Sequence, residues 1–106
     1  MRTLKFKVEG QIITKDSDCD FSDLVPGTTG YLRAEFTFSD EWKDTVRVAA
    51  FWRNGYECPP QMLEDGRSCI IPDEALTSRQ FKISVLGKNE KIKLTTNKVE
   101  VVQNGG

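Results

Sequence analysis

FTFSDEWKDTVRVAAFW, residues 36–52, sets two apolar, aromatic-bearing runs on either side of a charged insert, Ser39-Asp40-Glu41-Trp42-Lys43-Asp44. The first run closes a longer alternation. Leu32, Ala34, Phe36 and Phe38 fall on one face of an extended chain, and Tyr31, Arg33, Glu35 and Thr37 on the other. That is the period of two of a strand with one face in a core and one in water. The second run, Val46 to Trp52, is apolar on both faces, which fits a central strand between layers. Trp52 follows Phe51, so one of these two rings points away from the main core. Trp42 stands in the charged connection and is expected to fold down as a plug over the sheet edge, because a buried indole removes a large apolar area from water. Either the tryptophans anchor a core or they form a recognition surface, and the choice decides what kind of protein this is.

Outward from this stretch the same period recurs. In LKFKVEG, Leu4, Phe6 and Val8 alternate with Lys5, Lys7 and Glu9, and Gly10-Gln11 turns the chain into Ile12-Ile13-Thr14. Residues 15–30, with their acids, Pro26, Gly27 and Gly30, form a long loop that Phe21 and Leu24-Val25 tuck onto the body. On the other side, Asn54-Gly55 can take positive φ at both turn positions, so Trp52-Arg53 and Tyr56-Glu57 are expected to pair, and Pro59-Pro60 ends the pairing. QMLEDGRSCIIP reads as a short hairpin turning at Asp65-Gly66, with Cys69, Ile70 and Ile71 returning inward. DEALTSRQ follows Pro72 with room for a short helix near 73–79. Phe81, Ile83 and Val85 then face Ile92 and Leu94 across a turn at Gly87-Lys88-Asn89-Glu90, and Val99, Val101 and Val102 form a last strand.

About seven short strands with turn signals roughly every 8–12 residues predict a mainly β chain, an antiparallel β-sandwich of the Ig-like kind. The expected core is Phe6, Val8, Leu32, Ala34, Phe36, Val48, Ile70, Ile83, Val85, Leu94 and Val99. The 106 residues suit one domain, residues 1–102, with 103–106 as a flexible tail. No run approaches the roughly 20 apolar residues of a membrane span, and MRTLKFKVEG lacks the apolar centre of a signal peptide. The chain is therefore expected in the cytoplasm when made, without a membrane partner.

The chemistry available is narrow. Histidine is absent, which removes the commonest general base and transition-metal ligand. Cys19, Cys58 and Cys69 match no zinc spacing and read as small buried thiols, with a Cys58–Cys69 bridge left open. Asp16, Asp18 and Asp20 in DSDCD imitate the opening of a calcium loop, but Phe21 stands where that loop needs glycine and Gly27 where it needs a bidentate glutamate. No metal, cofactor or catalytic residue is expected. Residues 15–44 hold eight acids against three bases, and residues 79–98 six bases against one acid. Such asymmetry can steer a partner or a second copy, or mark two solvated strand faces. The lysines of the last hairpin lack interleaved exposed aromatics, and the overall pI is near 5.5, so nucleic acid is not an expected partner. The candidate partner-binding residues are Trp52, Arg53 and Tyr56 beside the Asn54-Gly55 turn, residue types enriched at interface hot spots, together with Trp42.

The N-terminal strand and loop, then FTFSDEW, VAAFW, CIIPDEAL, FKISVLG and TTNKVEV, resemble the small β-sandwich domains of tail, baseplate and head-fibre proteins of phages that infect Gram-positive bacteria. The chain is particularly similar to the N-terminal domain of siphovirus baseplate upper proteins, over nearly its whole length. The resemblance implies a non-enzymatic virion module, made in the host cytoplasm, that docks onto other virion proteins or itself through sheet edges and aromatic patches. Larger members of that family continue into stalks or receptor-binding regions, whereas this sequence stops at VVQNGG. Two other classes compete: a small phage-encoded inhibitor of a host protein, and a carbohydrate-binding module using Trp42, Trp52 and Tyr56 as sugar platforms.

Overall fold

The structure, a computed structural model, describes residues 1–105. The chain is mainly β: among the described residues 49% lie in strands, no helix has seven or more residues, and there are two sheets, one curled into a half-barrel. Sheet A has the order β2-β1-β3-β7, built from Ile12–Lys15, Arg2–Glu9, Leu32–Phe38 and Ser68–Ile70. Sheet B has the order β10-β8-β4-β5, from Val99–Val102, Gln80–Lys88, Val46–Arg53 and Tyr56–Glu57. In sheet B, β6 (Gln61–Met62) also pairs with β4, and β9 (Lys93–Thr95) with β8.

Alternation in β1 and β3 works as the sequence suggests. Leu4, Phe6 and Val8 lie level with Ala34, Phe36 and Phe38, and the Phe6 and Phe36 rings stack at 5.5 Å. The pairing itself is parallel, which departs from the expected antiparallel sandwich. The tight turn at Gly10, with φ +57°, lays β2 antiparallel against one edge of β1. The 16–31 loop then carries the chain back to where β1 begins, so β3 runs alongside the other edge in the same direction.

Two further expectations change and a third is extended. The QMLEDGRSCIIP hairpin turns at Asp65-Gly66 as expected, with Glu64 and Ser68 exchanging backbone hydrogen bonds of 2.6 and 3.2 Å, but its arms continue into different sheets: β6 pairs with β4 in sheet B and β7 with β3 in sheet A. The short helix near 73–79 is a 3₁₀ segment, Asp73–Thr77. Its carbonyls are already claimed from outside, since Leu76 O accepts both the Gly27 N–H at 2.8 Å and Gln103 Nε2 at 3.1 Å. The tail expected to be flexible from 103 is docked over its described part. Gln103 is buried, donates also to Ser78 O at 2.7 Å, and the Gly105 N–H reaches Leu24 O at 2.9 Å.

The core lies between the sheets. Of the expected core residues Phe6, Val8, Leu32, Ala34, Phe36, Ile83 and Val85 are buried, whereas Val48, Ile70, Leu94 and Val99 are half-buried. Ile70 lies level with Arg33 and so shares the outer face of sheet A; Cys69, level with Ala34, takes the inward place. All three cysteines are free, Cys58 and Cys69 both buried. Leu4, Ile13, Leu24, Trp42, Ala49, Phe51, Leu63, Ile71, Ala75, Leu76, Phe81 and Val101 are also buried in the core, as are those two cysteines.

Candidate functional site

Trp42 is not available to a partner. Its side chain is fully buried, its indole N–H donates to Gly10 O at 2.7 Å, and its ring lies 5.1 Å from that of Phe38. A methyl group on Gly87 would stand 2.6 Å from its Cζ3, so the plug fits only over a strand without a side chain there. Arg47 seals it from outside. The guanidinium stacks on Phe38 at 4.3 Å and donates to Trp42 O at 2.7 Å and to Gly66 O at 2.9 Å.

Trp52, Arg53 and Tyr56 do not form one patch. Trp52 lies level with Glu57, and Arg53 with Tyr56. Successive side chains of a strand point to opposite faces, so Trp52 shares the outer face of sheet B with Glu57, while Arg53 and Tyr56 lie on the inner side beyond the end of the core. Tyr56 is 76% exposed, and Arg53 Nε has no hydrogen-bond partner among the described residues. The indole of Trp52 is half-buried, donates to Ser84 Oγ at 3.3 Å, and carries Lys98 Nζ 3.6 Å above its ring. That ammonium occupies the face a sugar ring would need.

The register of sheet B identifies what does share the outer face. Val46, Val48, Ala50 and Trp52 of β4 project outward level with Lys88, Leu86, Ser84 and Lys82 of β8. Met62 joins Val48 from β6, and Lys93 joins Lys88 from β9. The result is a shallow trough of about 320 Å³ lined by Val46, Val48, Leu86, Gly87, Lys88 and Lys93. Val46 is 62% exposed and Met62, at its side, 67%. Among these lining residues there is no carboxylate, thiol or hydroxyl, so the trough has the chemistry of adhesion: hydrocarbon in the middle and ammonium groups at the rim. The sequence pattern marks none of these residues as a site: β4, apolar on both faces, predicts burial between layers, whereas Val46 is exposed and Val48 only half-buried.

The acidic loop is built for its own turns. Asp16 Oδ1 accepts the Asp18 N–H at 2.9 Å, and Asp20 Oδ1 accepts the Ser22 N–H at 2.8 Å and its hydroxyl at 2.6 Å. Those bonds, with Arg2 nearby, hold the Asp20 carboxyl below the usual carboxylate range. No three metal-ligating side chains converge among the described residues. Burial pushes the thiols of Cys58 and Cys69 upward, Cys69 to about 12, so neither is a nucleophile at neutral pH.

Comparison of the chain with protein-family models, curated proteins and solved structures finds no match.

Proposed function

We propose that the chain is a non-enzymatic docking module of a phage particle, a small building block of tail, baseplate or head fibre, made in the host cytoplasm and carried on the virion. The observation that carries docking is the trough on sheet B. Monomeric proteins seldom leave adjoining apolar side chains such as Val46, Val48, Met62 and Leu86 open on a regular strand face unless something covers them. The phage assignment rests on the resemblance of FTFSDEW, VAAFW, CIIPDEAL and TTNKVEV to segments of baseplate domains. In this reading the two sheets form a sandwich of the Ig-like kind, with the parallel β1–β3 pair as its departure.

A photo-crosslinking residue at position 62 tests the reading. Crosslinks to proteins of purified particles, identified by mass spectrometry, are the expected result. Absence of the protein from particles, with crosslinks to a single host protein, would replace this reading with that of a phage-encoded inhibitor.

A further inference from the structure

We propose that the lysine-edged trough on sheet B receives the acidic loop 18–25 of a second copy of this chain, so that copies dock head to tail. The inference deepens the docking reading by naming the partner of the same trough.

Three observations carry it. The first is charge. Lys88 and Lys93 border the trough, and no acid lines it. Loop 18–25 presents Asp18, Asp20 and Asp23, all exposed, and no base of its own, while Arg2 is tied to its carbonyls and Lys15 lies over its Phe21 ring. Opposite charges brought together steer encounter and fix orientation.

The second is the apolar half of the match. Val25 is 47% exposed at the end of this loop. The loop is not slack there. Arg2 donates to Asp20 O at 2.9 Å and Ser22 O at 2.7 Å, Thr28 Oγ1 donates to Val25 O at 2.9 Å, and Gly105 N–H donates to Leu24 O at 2.9 Å. An anchored loop loses little freedom on docking. Its valine supplies the hydrocarbon that Val46, Val48 and Leu86 lack above them.

The third is placement. The trough sits where β8 ends, at Leu86–Lys88. The loop packs near where β8 begins, through the Gly27 N–H bond to Leu76 O and the Asp73 carboxylate that accepts the Gly30 N–H. Six to eight strand residues separate those ends, roughly 20–27 Å. One copy therefore cannot fill its own trough, and both surfaces are open at once. A two-fold dimer, trough against trough, would set Lys88 and Lys93 of one copy against those of the other. Head-to-tail docking avoids that repulsion and generates a ring or an open string.

The test uses the whole chain and two variants altered only at exposed positions. The trough variant is Val46→Glu with Met62→Glu; the loop variant is Asp18→Lys with Val25→Lys. By sedimentation at about 0.02 M salt, the wild type should exceed its 12.0 kDa monomer mass increasingly with concentration, and return to monomer at about 0.5 M salt. Each variant alone should stay monomeric. Their equimolar mixture should form one heterodimer and nothing larger, because only one intact trough and one intact loop remain. Wild type monomeric throughout would overturn the proposal, as would a wild-type dimer abolished by the trough variant but untouched by the loop variant. Either failure would leave docking to other virion proteins standing if position 62 still crosslinks to them; loss of those crosslinks with head-to-tail assembly intact would sink the phage reading alone.

Discussion

Trp42 and Gly87 are one structural unit read from two distant places in the chain. The indole closes that end of the core only because residue 87 has no side chain, and Thr45 Oγ1 would lie 3.0 Å from an added methyl as well. Gly87→Ala should therefore cost about 1–3 kcal/mol, the usual range for overpacking a filled core, with partial exposure of the indole. A denaturant melt followed by tryptophan fluorescence measures both. Cys69 makes a second prediction. Burial raises its thiol from 9.0 to about 12, so between these values the folded chain holds a proton that the unfolded chain releases. Stability is full below pH 9 and falls as pH rises toward 12, by the linkage between proton binding and folding. Cys69→Ala should flatten that part of the profile, and in the native protein at pH 8 a thiol reagent should modify half-exposed Cys19 well before Cys69.

Among the elements, β3 and the β4–β5 hairpin separate structure from surface. Phe36, on β3 between β1 and β7, stacks on Phe6 and is 1% exposed. Phe36→Ala should destabilise by about 3–5 kcal/mol. Tyr56, on the short edge strand β5, should change stability by less than about 0.5 kcal/mol when cut to alanine, and thermal melts of the two variants make the comparison. The Asn54-Gly55 turn was legible because its chemistry is local: φ is +49° and +82° at the two positions, as this two-residue loop requires. The separation of Trp52 from Tyr56 was legible too, through strand period, but proximity in sequence masked it. The Asp65-Gly66 reversal was legible for the same local reason as the Asn54-Gly55 turn, with φ of +52° and +67° and an antiparallel Glu64–Ser68 bridge around it. A turn dipeptide reports that the chain reverses, not which sheet each arm goes on to enter.

At the scale of the whole molecule the C-terminal segment ties the chain together at the end away from Trp42. Gln103 bridges Leu76 O and Ser78 O through its amide while its own N–H reaches Arg79 O at 2.6 Å. Gln103→Ala leaves the Ser78 carbonyl without that donor inside the fold and should cost about 1–3 kcal/mol, read as a lower urea midpoint. The charge asymmetry also changes meaning at this scale. Of the acids in 15–44, Asp40 and Glu41 belong to the turn that carries Trp42 and Asp44 lies with Asn89, Glu90 and Lys91, apart from Asp16, Asp18, Asp20 and Asp23 on the loop. A tally along the chain joins what the fold separates.

Strand existence, the inward sets Leu4-Phe6-Val8 and Leu32-Ala34-Phe36, and the Asn54-Gly55 turn were determined by the sequence alone, because each depends on neighbours within a few residues. Tertiary structure decided that β1 and β3 run parallel, that Trp42 lies over Gly87, and that Val46 and Val48 have no layer above them. These depend on which distant segments meet. An apolar residue carries the same pattern whether its cover comes from its own chain or from another, and only the assembled sheets reveal which face was left open.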